Sequence, residues 1–473
     1  MLEIPVLRKG QPYKSLETYT LYNQQTAEPI CEVSMANRGL IAKDLAEYPK
    51  NRKSLDDITI ADSIQMCKEA AKYFASADLP LGELSQSRKD YIKYLSMTSG
   101  LPETLCASNM KKIEGALDQM DTVLAGMIRS NSLTFLDNNN QFVENQSINF
   151  IREADSLGVV APNNSPGVHT LWLPAIPLKV GLCIRPGSNE PWTTYRIIQS
   201  FIKAGMPEQV FGYYPSDYSG STEVVLRSDR SMVFGDKSSV DQWRQDPRVQ
   251  LHGPGWSKII FGSDRINDWE KYLDFITTSV AANSGRSCIN VSSIWVPSHG
   301  REIANALAER LLKIQPLPLT HPQAELAAFA NKNVAKGISN LIDSHLHNSA
   351  AIDVSREMRQ TDRVAELDGW TYLQPTVIYS ESVNHPLANT EFIFPFVSVV
   401  EVPQEEVLDQ IGYTLVASVV THDEEFIKQS MNFRHIDRLN IGPIPSNSIL
   451  YDQPHEGNLF DHLYKQRAFQ MVS

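Results

Sequence analysis

A thiol at the end of a glycine-containing bend is the first feature of this chain able to do chemistry. The segment Asn283-Ser284-Gly285-Arg286-Ser287-Cys288 joins a helix-patterned stretch to a β-branched one and so presents Cys288 at an element end. A nucleophilic cysteine needs partial access and a pKa lowered by donors or positive charge, and Arg286 is a local candidate for that charge. The other reading is a buried cysteine that packs as a small hydrophobe. His252 stands 36 residues upstream, at the head of His252-Gly253-Pro254-Gly255-Trp256-Ser257-Lys258. Histidine at cellular pH keeps a free ring nitrogen and is a competent general base. Packing under the Gly-Pro-Gly turn is the alternative for this one. Two further segments gather polar residues after apolar ones: Val160-Ala161-Pro162-Asn163-Asn164-Ser165-Pro166, and Leu182-Cys183-Ile184-Arg185-Pro186-Gly187-Ser188.

The elements that must hold these residues follow from periodicity. Ile58 to Phe74 has apolar side chains at helical spacing with Asp56 and Asp57 ahead of it, and the first ~130 residues are expected to be mostly helical. After the turn-rich Asp137-Asn138-Asn139-Asn140, strands and helices alternate: a strand over Leu178–Ile184, a helix over Thr193–Ala204, and a strand over Gln209–Tyr214. A second alternating block predicts a strand at Lys258–Phe261, a helix at Asp268–Ala282, a strand at Val291–Val296 and a helix at Arg301–Leu312. The runs Val397–Val402 and Thr414–Val420 are of buried-strand type. Such alternation implies parallel sheets of βαβ units, hence an α/β fold.

Taken with Cys288, these segments resemble the aldehyde dehydrogenase superfamily. There P-W-N-x-P supplies an oxyanion asparagine, a strand ending K-P-S-E holds the adenosine ribose, and N-x-G-x-x-C presents the nucleophile. Val233-Phe234-Gly235-Asp236 is similar to the family's F-T-G-S, and Thr390-Glu391-Phe392-Ile393-Phe394-Pro395 to its E-E-I-F-G-P. Gly412-Tyr413-Thr414-Leu415-Val416-Ala417 resembles the strand that leads back towards the cofactor domain. The resemblance covers roughly Gly158 to Gly442 and implies a role for each matching residue. Cys288 is the nucleophile and Asn164 the oxyanion donor. Arg185, Ser188, Gly235, Glu391 and Pro162 belong to the NAD or NADP site, with Glu391 on the nicotinamide ribose. The implied fold is a Rossmann-type cofactor domain over 1–250 with a helical N-terminal part, an inserted α/β catalytic domain over 251–419, and a C-terminal segment, 420–473, that returns to the cofactor domain and serves oligomerisation. A homodimer or homotetramer is the implied assembly. Trp172, Trp295 and the region around His455-Glu456-Gly457 are expected to line the substrate tunnel.

Where the sequence departs from the family, the chemistry shifts. The slot of the family's general-base glutamate holds His252. Either His252 activates water and the product is an acid, or no base is needed because a thiol such as coenzyme A takes the acyl group, with reduction of an acyl thioester as the reverse direction, or His252 only packs; a catalytically silent nucleotide-binding relative is the remaining alternative. Arg185 replaces a lysine and adds a planar fork suited to phosphate; Ser188 replaces a glutamate and removes a charge that would repel a 2′-phosphate. Both changes lean towards NADP, or towards dual use. Ile393 stands where the family has a nicotinamide-contacting phenylalanine, for which Phe394 is the expected substitute.

Composition bounds the remaining classes. The 473 residues, 42% hydrophobic and 21% charged, suit a globular chain of about two to three domains. A formal charge of −12 without a basic block argues against nucleic-acid or anionic-membrane partners, and the family resemblance implies a small-molecule aldehyde or acyl thioester as the partner. Five cysteines with no C-x-x-C pair point to a reducing compartment, and Glu3, Arg8 and Lys9 interrupt the apolar N-terminal stretch, so the cytoplasm is expected. Asp343-Ser344-His345-Leu346-His347 on a helix points its two rings apart, and no metal is assigned. The sequon Asn145-Gln146-Ser147 carries no meaning in such a compartment.

Overall fold

Two seven-stranded sheets organise the chain in the computed structural model, which describes residues 1–129, 133–137, 148–347, 349–468 and 470. Asn138 to Asn140 and the sequon at Asn145 lie outside the described residues. The first sheet runs 249–252, 230–234, 156–160, 181–185, 211–213, 6–8, 11–13. Its first five strands are parallel, and the last two add on antiparallel. From 156–160 the chain steps to 181–185 and 211–213 on one side, then crosses to 230–234 and 249–252 on the other. That reversal creates a crevice at the carboxyl ends of 156–160 and 230–234, the place where doubly wound sheets bind ligands.

The second sheet runs 352–353, 376–380, 396–401, 291–296, 257–261, 414–420, 436–441 and is parallel except for its first pair. Val291–Val296 and Thr414–Val420 are buried along their whole length, as strands covered on both faces must be. Separate apolar clusters cover the two faces, one built on Ile259, Val291 and Val399 and the other on Ile260, Val400 and Val419. This sheet extends beyond position 419: Ile436–Ile441 pairs in parallel with Thr414–Val420. Conversely, Leu251 and His252 belong to the edge strand of the first sheet, paired with Val233 and Phe234. Farther on, Tyr464–Ala468 pairs antiparallel with Ile148–Arg152.

The mostly helical reading of the first ~130 residues holds from Arg38 onward, and the stretch before it is built of strands. Strands occupy 2–4, 6–8, 11–13, 18–22 and 29–34 before the first helix at Arg38. Alternation such as Thr18-Tyr19-Thr20-Leu21-Tyr22 has a period of two, and the first long helix is Ile60–Ser76, capped by Thr59. The strand expected from Leu178 begins at Gly181, because Lys179 adopts a left-handed backbone (φ 63°) and buries its ammonium against the carbonyls of Leu55 and Ile58. The helix expected over Asp268–Ala282 is broken after a non-helical Asp268, with its regular part at Leu273–Ala281. The strand at Gln209 begins at Phe211 after one 3₁₀ turn. Among the described residues, no helix is long and apolar enough to cross a membrane.

Candidate active site

Four strand ends of the first sheet converge on one cavity of about 570 Å³, and each contributes a residue: Pro162 after 156–160, Arg185 at the end of 181–185, Gly235 after 230–234, and His252 at the end of 249–252. Segments that lead into strands of the second sheet close the opposite wall: Pro254 ahead of 257–261, Cys288 ahead of 291–296, and Glu391 ahead of 396–401. The cavity therefore lies between carboxyl ends of one sheet and amino ends of the other.

The bend that delivers Cys288 is held under strain. Asn283, Ser284 and Gly285 are three consecutive left-handed residues (φ 51°, 59° and 67°), a conformation that costs about 1–3 kcal/mol at each non-glycine position. Side chains hold it there. Asn283 Nδ2 donates to Ser165 Oγ (3.0 Å), Asn109 Nδ2 donates to Asn283 Oδ1 (2.7 Å), and Asn290 Nδ2 reaches the carbonyl of Ala282 (2.9 Å). At Gly285 a Cβ would stand 2.5 Å from the Phe394 carbonyl, and at Gly255 one would stand 2.0 Å from the Cys288 carbonyl. Both glycines are thus fixed by close backbone approach, and the Gly255 strand lead packs directly on the thiol's own residue.

Cys288 is half-buried, whereas Cys31, Cys67, Cys106 and Cys183 are buried. Its Sγ donates to Glu456 Oε1 at 3.1 Å, and His252 Nδ1 meets Glu456 Oε2 at the same distance. One carboxylate thus bridges thiol and imidazole. Burial pushes the Cys288 thiol well above its ordinary range, and the charges of Glu456 and Glu391 push it further; its own backbone N–H works the other way. Burial opposes ionisation of Glu456 too, yet the hydrogen bond from His252 and the fields of His455 and His252 hold it at about 2. The resting proton therefore sits on sulfur, beside the carboxylate. With Nδ1 facing a carboxylate, that nitrogen carries the hydrogen and Nε2 keeps its lone pair. Nε2 is buried and without a partner among the described residues, and the ring stacks on Phe234 at 4.4 Å.

Arg286 does not charge the thiol's surroundings. Its guanidinium is buried under the Phe329 ring and spent on the carbonyls of Ser99 and Ala328. A cation whose field reaches Cys288 is Arg438, which donates to His455 Nδ1 (2.9 Å). His455 accepts there because burial pushes it down to about 4.

Asn164 lines the cavity and gives one amide hydrogen to the Arg286 carbonyl (2.9 Å), which leaves the second free. Glu391 accepts from the N–H groups of Gly255 (2.9 Å) and Trp256 (2.8 Å) through a single oxygen, Oε2, so Oε1 remains open. Burial raises this carboxyl to about 7 against those two hydrogen bonds and the field of Lys258. Arg185 Nη2 donates to the Ser216 carbonyl (3.1 Å), and its buried Nε has no partner among the described residues.

Other expectations separate from the site. Ser188 is exposed and outside the cavity lining, its carbonyl taken by the Tyr19 hydroxyl (3.1 Å). Trp172 and Trp295 are fully buried, their indoles donating to His169 and to Ser293 Oγ, and neither lines a cavity. Phe394 packs in a separate apolar cluster, and the ring that faces the cavity beside Ile393 is Phe392. Asp343 pairs with Arg363 at 3.0 Å. Glu456 is the residue that sequence reasoning left without a role. Its signal was the isolated acid in His455-Glu456-Gly457, near the expected tunnel.

A sequence model of the aldehyde dehydrogenase family matches residues 12–456. The fold is similar to that of the aldehyde dehydrogenase KauB from Pseudomonas aeruginosa, with TM-score 0.79 and 16% identity over 99% of this chain and 96% of that one. An aldehyde dehydrogenase from Bacillus cereus, solved as its NAD+ complex, matches with TM-score 0.77 and 16% identity over 99% and 96%. An NAD-dependent aldehyde dehydrogenase from Sinorhizobium meliloti gives 0.76 and 16% over 99% and 94%. At these identities the likeness to the solved structures is one of fold.

Proposed function

The chain belongs to the aldehyde dehydrogenase family of NAD(P)-dependent oxidoreductases, and on that footing we propose that it oxidises an aldehyde to the free acid through a thioester on Cys288. The observation that carries the reading is the chain of contacts from Cys288 through Glu456 to His252 on the cavity wall. Sulfur adds to the aldehyde carbon and its proton passes to Glu456 Oε1. Asn164's free amide hydrogen and the Cys288 backbone N–H are the donors for the oxygen that gains charge, where such donors have most effect. The dinucleotide, when bound, supplies the hydride acceptor that turns this adduct into a thioester. His252 Nε2 then takes a proton from water, hydroxide attacks the acyl carbon, the leaving sulfur recovers its proton from Glu456, and His252 loses to solvent the one proton that the overall oxidation releases. Product analysis with coenzyme A present tests the outcome: free acid supports water as the acceptor, and an acyl-coenzyme A product overturns it.

The cavity suits a dinucleotide in its donor set, with Arg185 Nε unpartnered, Glu391 Oε1 open and Gly235 at the strand end. The carboxylate whose field reaches Arg185 is Asp217, and it is turned into a helix cap on Gly220 N (2.9 Å). An arginine fork whose neighbouring acid is already engaged as a helix cap favours a 2′-phosphate. NADP is therefore expected to bind at least as tightly as NAD in a direct titration. NAD binding tighter by about tenfold, roughly 1.4 kcal/mol, would place an acidic side chain in the ribose site and contradict the role of Arg185. Asn164→Ala is expected to lower kcat by ~10²–10³ with the nucleotide affinity kept, as loss of one oxyanion donor does. A change below about threefold in steady-state kinetics would remove Asn164 from the oxyanion site.

A further inference from the structure

A second cavity, of about 250 Å³, adjoins the first, the two sharing Lys112, Gly167, Leu171, His455 and Glu456. Val123, Met127 and Met232 are among its apolar walls. Among the described residues, Lys112 is the one lysine or arginine on that wall and Glu456 the one carboxylate, and Glu456 is already engaged by Cys288 and His252. We propose that the aldehydes this site accepts carry an anionic group, a carboxylate or a phosphate, at the end away from the carbonyl, and that Lys112 Nζ pairs with it in the second cavity. The proposal rests on the aldehyde-oxidising reading of Cys288 and names the class of substrate for it.

The isolation of Lys112 on the cavity wall carries the assignment. Lys112, on the helix Glu103–Asp118, is half-buried and makes no hydrogen bond or ion pair among the described residues; burial lowers its pKa, with no anion to offset the cost. An unpaired cation out of water is costly, and an anionic occupant removes that cost. The lysine stem lies beside the loop that follows Asn164: a Cβ at Gly167 would stand at contact distance, 3.4 Å, from Lys112 Cδ, and it is Asn109 Oδ1, 2.8 Å from that Cβ position, that needs the glycine. Finally, the cavity holds buried acceptors with no donor. Gln250 gives its Nε2 to the Glu456 carbonyl (2.9 Å), which orients its Oε1, and that oxygen, like Asn447 Oδ1, has no partner among the described residues. A plain alkyl chain in this cavity leaves three polar groups unpaired. An anionic end group pairs Lys112 Nζ, while Gln250 Oε1 and Asn447 Oδ1 call for donors, a hydroxyl of the substrate or a water; a site built to pair a buried polar group discriminates strongly against the analogue lacking its partner.

The test compares kcat/KM for 5-oxopentanoate with that for pentanal, and for glyceraldehyde 3-phosphate with that for glyceraldehyde, in the wild type, Lys112→Met and Lys112→Arg. The same proteins are titrated calorimetrically with glutarate. The expected result is a preference of about tenfold or more for the anionic member of a pair, lost in Lys112→Met and largely kept in Lys112→Arg. Which pair shows it tells carboxylate from phosphate. A ratio near one in the wild type, or one that Lys112→Met leaves unchanged, overturns the proposal. If no aldehyde of either kind is oxidised, the reading of Cys288 fails, and the titration still decides Lys112: glutarate binding lost in Lys112→Met supports the anion site, and equal or absent binding in both proteins overturns it.

Discussion

Cys288→Ala is expected to retain less than about a hundredth of wild-type turnover while cofactor affinity stays within about twofold, because the thiol enters bond-making and not nucleotide binding. The thiol and the residues assigned to the dinucleotide come from different elements around one cavity. Cys288 comes from the strained bend that precedes a strand of the second sheet, whereas Arg185 and Gly235 sit at strand ends of the first. Removing a half-buried sulfur leaves the bend's own supports, Asn109, Ser165 and Asn290, in place, so the variant should fold. Nicotinamide absorbance with an aldehyde panel, together with a direct cofactor titration, checks both halves of the expectation. Substantial residual oxidation, or cofactor binding lost along with turnover, would contradict it.

The second large effect concerns release of the acyl group. His252→Ala removes the unpartnered Nε2 but keeps Glu456 beside the thiol, so one rapid burst of reduced cofactor should survive while steady turnover falls by about 10²–10⁴. Glu456→Gln acts earlier: the carboxylate that receives the thiol proton is gone, and the burst itself should slow. Rapid-mixing absorbance distinguishes the two variants. If coenzyme A were the acceptor, His252→Ala would turn over at nearly the wild-type rate in its presence, and acyl-coenzyme A would be the product found by mass spectrometry.

Much of this arrangement was legible in the sequence because its parts are local. A β-branched run such as Thr414–Val420 is specified by its own residues, and the strand found matches it end to end. The bend before Cys288 was visible as Asn-Ser-Gly between a helical and an extended pattern. What stayed hidden was long-range. Glu456 lies 168 residues from the thiol that it accepts from, and no period or motif links the two. Arg286 is adjacent to the site in sequence, yet its guanidinium is drawn to the carbonyls of Ser99 and Ala328, because burial near a backbone in need of donors outweighs proximity along the chain. Trp172 and Trp295 illustrate the same limit, since a large amphipathic ring marks a core position as readily as a tunnel wall, and here both indoles find internal acceptors.

The most direct test of the central claim is the mass of the peptide that contains Cys288, taken from His252→Ala enzyme quenched in acid just after the burst. A thioester there makes the peptide heavier by the mass of the aldehyde less two hydrogens, and hydroxylamine removes the increment. An unmodified Cys288 peptide at that moment, or an adduct on any of the other four cysteines, would contradict the account.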